Sequence, residues 1–515
     1  MAENEEVNKN LTILVKGSIV VFIGIFFSKF LTYFYKIIIA RSFGPESYGL
    51  FSLALIIATL FSTVASLGLS EGLLRYASLY NSNKEIKKIK PLLKFSLIFS
   101  CFSSLIFATI LFTYSDLIAI IFHDPSLTNY LVYFSIAIPF ILISNLFLSI
   151  IKANMMVFRY TFIINILQNA LRLFGLFLFI LLGLKSHAII GSYLLGIISI
   201  AIGSYFAARI YLSKIMSQKD IDSKSEKSLK REFISYSWPV IFVGFIGTVL
   251  YWIDSLVIGY LVDTTSVGIY GAAFTIVSLL GIAPELFMQM FLPVILKEYS
   301  KGRIDVIGQT SKQVSKWIGL LNIPAFTLMF IFPEIIINSI FGAQYLGASS
   351  SLRILAVGGF FSSFISLNTS LLSMKGKSKS ILLTLIIASI TNLVLSFFLV
   401  SSYGIQGAAI TTSIIWFLTL VVLSAQVYKS TGIFAVRRNL VKIIILSIIP
   451  AVILVILNSH TPNSYFWFFI KAIIYGIIYI TFIILCKSLD YNDYNIIRAF
   501  NNKLNLNILR YEKPI

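Results

Sequence analysis

Apolar runs of about 20 residues succeed one another along almost the whole chain, broken only by short polar segments. A run of that length crosses a ~30 Å hydrocarbon core as an α-helix. In hydrocarbon the backbone N–H and C=O groups must pair within the segment, so the run can hardly be anything else. Of the 515 residues 58% are hydrophobic and 12% charged, more apolar surface than a domain in water would bury. The runs are continuous, whereas a membrane β-barrel would show short alternating segments. An all-α polytopic membrane protein is expected.

Polar breaks divide the chain into about 14 spans. They lie near 12–40, 48–74, 92–114, 130–151, 159–183, 187–211, 235–261, 267–293, 314–333, 351–374, 380–401, 405–428, 440–457 and 464–486. The opening MAENEEVNKN has no basic segment and no cleavage site, so the first run is expected to stay as a span. Lys and Arg crowd into alternate loops. The opposite loops, around 115–129, 262–266, 334–350, 402–404 and 458–463, hold none, and only Arg41 and Lys185 break the pattern. The positive-inside rule then places both termini in the cytoplasm, with the protein multi-pass in the cell membrane. It also accounts for most of the formal charge of +20, which points to anionic membrane lipids and not to nucleic acid.

No loop exceeds about 25 residues, which leaves no room for a separate catalytic domain or a phosphate-cradling glycine loop. His123, His187 and His460 are too scattered for a metal site, and Cys101 and Cys486 are read as buried, inert thiols. No enzyme, resident metal or cofactor is expected.

The chain repeats itself. ESYGLFSLALIIATLF (46–61) resembles TSVGIYGAAFTIVSLL (265–280), and LSIIKANMMVFRYTFIINILQNAL (148–171) lines up with LLSMKGKSKSILLTLIIASITNLV (371–394). Both offsets are about 220 residues, and six spans separate the copies, so both enter the membrane in the same direction. The expected organisation is a tail (1–11), a six-helix lobe (12–212), a linker (213–234), a second lobe (235–428), two further spans (429–487) and a tail (488–515). Pairs of lobes of this kind enclose a cavity and rock about it.

ARSFGPESYGLFSLA (40–54) and SLGLSEGLLRYA (66–77) resemble the opening spans of Wzx-type polysaccharide flippases. IDSLVIGYLVDTTSVGIYGAAF (253–274), SLRILAVGGFFSSF (351–364), LLSMKGKSK (371–379) and YGIQGAAITTSI (403–414) resemble that family's second lobe. The wider superfamily also holds peptidoglycan lipid flippases and multidrug exporters. The resemblance implies two six-helix bundles in a V. It also implies transfer of a polyprenyl-pyrophosphate-linked oligosaccharide from the cytoplasmic to the outer leaflet, for surface polysaccharide or glycoprotein synthesis, beside glycan-assembly enzymes. A monomer is the expected state.

The polar residues within the spans bear on the substrate. Asn165, Asn169 and Arg172 recur at i, i+4 and i+7, one helical face, with Gln168 beside them. Lys29 and Lys36, seven apart, share a face of the first span. A cation at mid-membrane costs a few kcal/mol and normally faces a wet or protein interior. Arg offers forked hydrogen bonds to phosphate, Lys a mobile charge, and the amides can bind sugar hydroxyls. The plainer alternatives are snorkelling for Lys16, Lys29 and Lys36, and an interhelical ion pair or carbonyl bonds for Arg172.

The second lobe carries Asp254 in span seven, Glu285 and Gln289 on one face of span eight, Asn392 and Ser396 in span eleven, and Thr411 and Thr412 in span twelve. An acid among oxygen donors suits Na⁺ or H⁺ coupling. In peptidoglycan lipid flippases a cation site is associated with spans seven, eleven and twelve; Asp254 and Asn392 match it, while Ser396 stands where a second acid would. A salt bridge from Asp254 to Lys29 or Arg172 is the alternative. Glu71 and Arg75, at i and i+4, suggest a local ion pair and a gate, with Arg41 as its outer counterpart. Arg353 is placed near the outer interface, and Lys471 as a snorkelling side chain.

A multidrug exporter exchanging cationic compounds for H⁺ or Na⁺ would want an acidic cavity, whereas the first lobe is cationic. A peptidoglycan precursor flippase fits the same charge logic as the leading reading. A glycosyltransferase or polymerase would need acids on a substantial outer loop; here Asp116, Asp124, Asp263 and Glu334 are isolated.

Overall fold

The computed structural model describes residues 2–184, 186–218, 220, 222–434, 438–462 and 464–485, with side chains from Phe27 onward save at 157, 243, 289, 290, 438 and 439. The side chains of Lys16 and Gln289, together with Lys185, Cys486 and the expected tail 488–515, lie outside what is described. Helix makes up nearly all of the described chain, and no strand occurs among the described residues.

Thirteen helices among the described residues are long and apolar enough to cross a membrane. The first, Phe27–Ala65, is interrupted at Gly44, with φ 80° and ψ 176°. Only glycine enters that region without strain. Pro45 comes next, and its missing N–H suits the first turn of a new helix. The two arms answer to the first two expected spans, so each of the fourteen has a helical counterpart.

The chain divides into two compact units. The first comprises Gly24–Ala272 and Leu385–Ala408. It contains α1 (Ala2–Ala65) from Gly24 on, α2 (Leu69–Ser82), α3 (Ile89–Thr113), α4 (Ser115–Ile121), α5 (Ser126–Ala153), α6 (Val157–Thr161), α7 (Gln168–Leu181), α8 (His187–Met216), α9 (Ser223–Leu261) and the start of α10 (Thr264–Val277). α8 lies along α7 and α5, and α3 along α5. An aromatic core holds this unit together: Phe51 meets Tyr35, Phe134 and Tyr193 edge to face at about 6 Å, and Phe134 stacks on Tyr193 at 4.5 Å. Many serine and threonine hydroxyls in these helices donate to their own backbone, as Ser62 does to the Ala58 carbonyl.

α1 and α10 cross in backbone contact where the two repeat copies align. A Cβ on Gly49 would overlap the Thr264 carbonyl, and one on Gly268 the Pro45 carbonyl; each would stand 3.0 Å from the other glycine's nitrogen. Pro45 relates to Thr264 as Gly49 does to Gly268, so the contact is reciprocal, as at a two-fold interface.

The second unit holds the start of α1, Ala273–Thr384 and the described residues from Ala409 onward. It is built from α11 (Ile282–Ser300), α12 (Ile304–Ile331), α13 (Pro333–Ile340), α14 (Ser349–Ser362), α15 (Ile365–Met374), the first turns of α16 (Ser378–Tyr403), α17 (Ile405–Thr431), α18 (Arg438–Ser459) and α19 (Tyr465–Leu485). α12 packs on α11, α14 and α18, and α18 on α19. Lys471 does not snorkel: it is buried in α19, donates to Asn458 Oδ1 at 2.8 Å and lies over the Phe332 ring. An acceptor one helix away satisfies the ammonium without a route to the interface. Cys101 is likewise not buried but on the exposed surface of α3.

Candidate functional site

The stretch IINILQNALR does not form a plain α-helix. Between α6 and α7 the turn Phe162–Leu167 is a π-helix. One residue is added to the turn, which rotates α7 relative to α6 and loosens the carbonyl ladder, a feature common at functional sites. Asn169 answers locally: buried, it donates to the Asn165 carbonyl at 3.0 Å. Asn165 turns the other way, its Oδ1 accepting from Ser28 of α1 at 3.2 Å. That bond draws α1, with Lys29 and Lys36, against the start of α7.

One turn on, Arg172 reaches α8. Its guanidinium lies over the Tyr193 ring at 4.7 Å, and its stem fills the space left by Gly196, where any Cβ would collide with it. Arg172 makes no ion pair among the described residues, and its buried Nε has no hydrogen-bond partner there. Neither an interhelical ion pair nor a carbonyl therefore accounts for this arginine. Tyr35 and Ser192 hydroxyls join at 3.0 Å beside it, bracing α1 against α8. Lys36, half-buried, is within electrostatic reach of both Lys29 and Arg172. Three cations are thus held together without neutralisation of the arginine. Gln168 is half-buried next to Asn169. Tyr193, Gly196, Ser28, Tyr35 and Ser192 were not legible in advance, because aromatic and small residues in an apolar span look like ordinary packing.

In the second copy, buried Asp254 of α9 accepts a hydrogen bond from Tyr270 of α10 at 3.0 Å. On α16, Ser396 donates to the Asn392 side chain at 2.9 Å, both buried. Tyr260 of α9 meets Phe397 of α16 at 6.1 Å. At 1.5 Å per residue, Asp254 and Asn392 lie about 9 and about 7 Å back from that contact on neighbouring helices, at matching depth. Thr411 and Thr412, also buried, belong to the second unit.

Glu71 and Arg75 do not pair. Glu71 accepts from Ser70 at 2.8 Å, while Arg75 lies over the Tyr236 ring at 4.1 Å, a tertiary contact to α9 that outcompetes the i, i+4 partner. Tyr76 reinforces it, donating to Glu232 at 3.0 Å; burial pushes its hydroxyl up to about 12. Arg41 is exposed just before the Gly44 break. Three of the isolated loop acids have local partners. Asp124 accepts from the Ser126 N–H and from Thr264, Asp263 accepts from the Ser266 N–H at the start of α10, and Glu334 pairs with Arg353 at 3.4 Å.

Comparison with known proteins adds to this geometry. A putative O-antigen transporter of Shigella flexneri is 24% identical over 390 residues, 73% of this chain and 88% of that one. A probable low-salt glycan biosynthesis flippase, Agl15 of Haloferax volcanii, is 27% identical, covering 78% and 80%. Among solved structures, the lipid II flippase MurJ in an inward closed conformation superposes with a TM-score of 0.70 at 21% identity, over 91% of this chain and 99% of that one, a likeness of fold. The MatE family model matches residues 239–398. The model described as polysaccharide biosynthesis protein matches residues 14–297, more than half of the sequence, and the chain belongs to that family.

Proposed function

We propose that the protein is a flippase that carries a polyprenyl-pyrophosphate-linked oligosaccharide across the cell membrane by alternating access. The observation that carries this reading is Arg172, a partly buried guanidinium with no ion pair among the described residues, its Nε unmatched, grouped with Lys29 and Lys36 inside membrane helices. An uncompensated arginine in hydrocarbon is costly unless it faces an anion, and a pyrophosphate supplies that anion. Asn165 and Gln168 stand ready for sugar hydroxyls. The relatives that act on O-antigen and glycans support the substrate class. On this reading both termini are cytoplasmic, the lobes are 12–212 and 235–428, Arg41 and Arg75 lie at the two gates, and the working unit is a monomer beside the glycan-assembly enzymes. The protein performs transport and no bond chemistry. Asp254 with Asn392 and Ser396 is the coupling site for Na⁺ or H⁺.

The buried Asp254–Tyr270 pair and the MatE match over the second copy favour one other reading, export of cationic compounds in exchange for ions. Proteoliposomes holding a fluorescent polyprenyl-pyrophosphate oligosaccharide separate the two. The flippase reading expects translocation by the wild type and its loss in Arg172→Ala. Efflux of cationic dyes without glycolipid translocation would transfer the protein to the exporter branch.

A further inference from the structure

Arg209 lies apart from the cluster around Arg172. α3, α5 and α8 of the first unit line a partly open cavity of about 330 Å³ whose walls are Leu97, Phe147, Tyr205, Leu212, Ser213 and Met216, with Arg209 at its edge. It lies towards the basic ends of these helices: α3 begins there at Ile89, α5 ends with Lys152 in its last turn, and α8 ends with Lys214 in its last turn. Arg209 is about 10 Å from the end of α8. It is exposed, and its guanidinium lies 5.8 Å from the Phe206 ring without an ion pair among the described residues. α3, α5 and α8 contain no Asp or Glu at all.

Leu97, Phe147, Leu212 and Met216 make most of the wall apolar, which offers water few of the polar partners it needs. A hydrocarbon chain suits its apolar walls, and the Arg209 guanidinium at its edge, without an ion pair among the described residues, calls for an anion attached to that chain. We propose that this cavity is a binding site for an anionic phospholipid of the leaflet on the basic face, one acyl chain in the slot and the phosphate on Arg209. The site does not depend on the transport reading, because its test is binding.

The purified full chain is titrated in detergent with phosphatidylglycerol and with phosphatidylcholine of the same chain length, and bound lipid is counted by native mass spectrometry. One equivalent of phosphatidylglycerol is expected to bind in preference. Arg209→Gln, at an exposed position, should weaken it about fivefold, the worth of one basic residue near an anionic headgroup. Leu97→Trp, which fills the slot, should lower binding of both lipids. Lys214→Gln, off the cavity, should change little. Equal weakening by Lys214→Gln and Arg209→Gln would mean diffuse attraction to the basic face and overturn the site. So would a tight equivalent that survives Leu97→Trp.

Discussion

The two copies of the repeat place opposite chemistry on one backbone plan. In the first, Tyr35 and Phe51 meet edge to face at 6.1 Å. The residues that occupy the corresponding positions in the second, Asp254 and Tyr270, are joined by a 3.0 Å hydrogen bond. Around Tyr35 stand Lys36 and Arg172; at the depth of Asp254 stand Asn392 and Ser396. An acid buried in a membrane helix is tolerated when it is hydrogen-bonded, and an arginine when it lies on an aromatic face and meets an anion in use. A duplicated pair of helices can therefore hold an anion site in one half and a cation site in the other, with few side chains changed.

The sharpest way to break that division is to neutralise each half separately. Charge-assisted hydrogen bonds are worth roughly 1.5–3 kcal/mol, so Arg172→Ala should weaken glycolipid binding and transport about ten- to a hundredfold, and Arg172→Lys should restore part of it. Gly196→Leu should mimic the loss by evicting the Arg172 stem while leaving the charge in the chain. Asp254→Asn should leave glycolipid binding intact and remove the response of transport to an imposed Na⁺ or proton gradient. If Asp254→Asn and Arg172→Ala both abolish binding, the halves do not divide the work.

The reciprocal crossing makes the next test one of symmetry. Gly49→Ala and Gly268→Ala each drive a Cβ into backbone, which cannot yield as a side-chain tip can, at a cost of about 1–3 kcal/mol each. Both variants should melt lower by similar amounts. A large effect from one and none from the other would show that the two sides of the crossing are not equivalent.

Much of this was legible in advance for a physical reason. Span length and the cost of a cation in hydrocarbon are local properties, so the helices and the trio Lys29, Lys36 and Arg172 could be read directly. What the sequence hid was tertiary. The regular i, i+4, i+7 stripe of Asn165, Asn169 and Arg172 gave no sign of the π-turn at 162–167, which spends Asn169 on the backbone. Arg75 faced a good partner in Glu71 yet settled on Tyr236, and Lys471 found Asn458, because each competing group arrives from another helix.

A smaller effect tests the second half alone. Tyr270→Phe removes one hydrogen bond to Asp254, about 1 kcal/mol, and should shift the pH or ion dependence of transport while sparing its maximal rate. Phe51→Tyr, the same swap in the first copy, meets no carboxylate at the matching position and should leave ion dependence alone. An equal shift from both would mean that the hydroxyl acts through packing.

The weakest prediction concerns the basic ends of the helices, where the contrast reappears in another form. In the first unit the buried member of the pair is the cation: the Lys90 side chain is 10% exposed and Asp220 75%, at 2.8 Å. In the second unit it is the acid: Glu298 is 2% exposed, with Lys301 at 3.6 Å and Arg303 at 3.7 Å. The hydrogen bond and charge of Lys90 hold the Asp220 carboxyl below its ordinary value of 3.8. A carboxyl depressed on folding adds stability above its unfolded value, and that stability fades as pH falls through the folded one. The melting temperatures of wild type and Asp220→Asn should thus differ slightly at neutral pH and converge below about pH 4. The difference stays small because Asp220 is solvated and Lys90 keeps its second acceptor, the Gln218 carbonyl. Glu298→Gln leaves no lysine buried, only a neutral amide between two solvated cations, so its cost should arise from lost pairing and exceed that of Asp220→Asn. If Asp220→Asn proves the more damaging, exposure does not rank these pairs, and Lys90 depends on its carboxylate more than on the backbone.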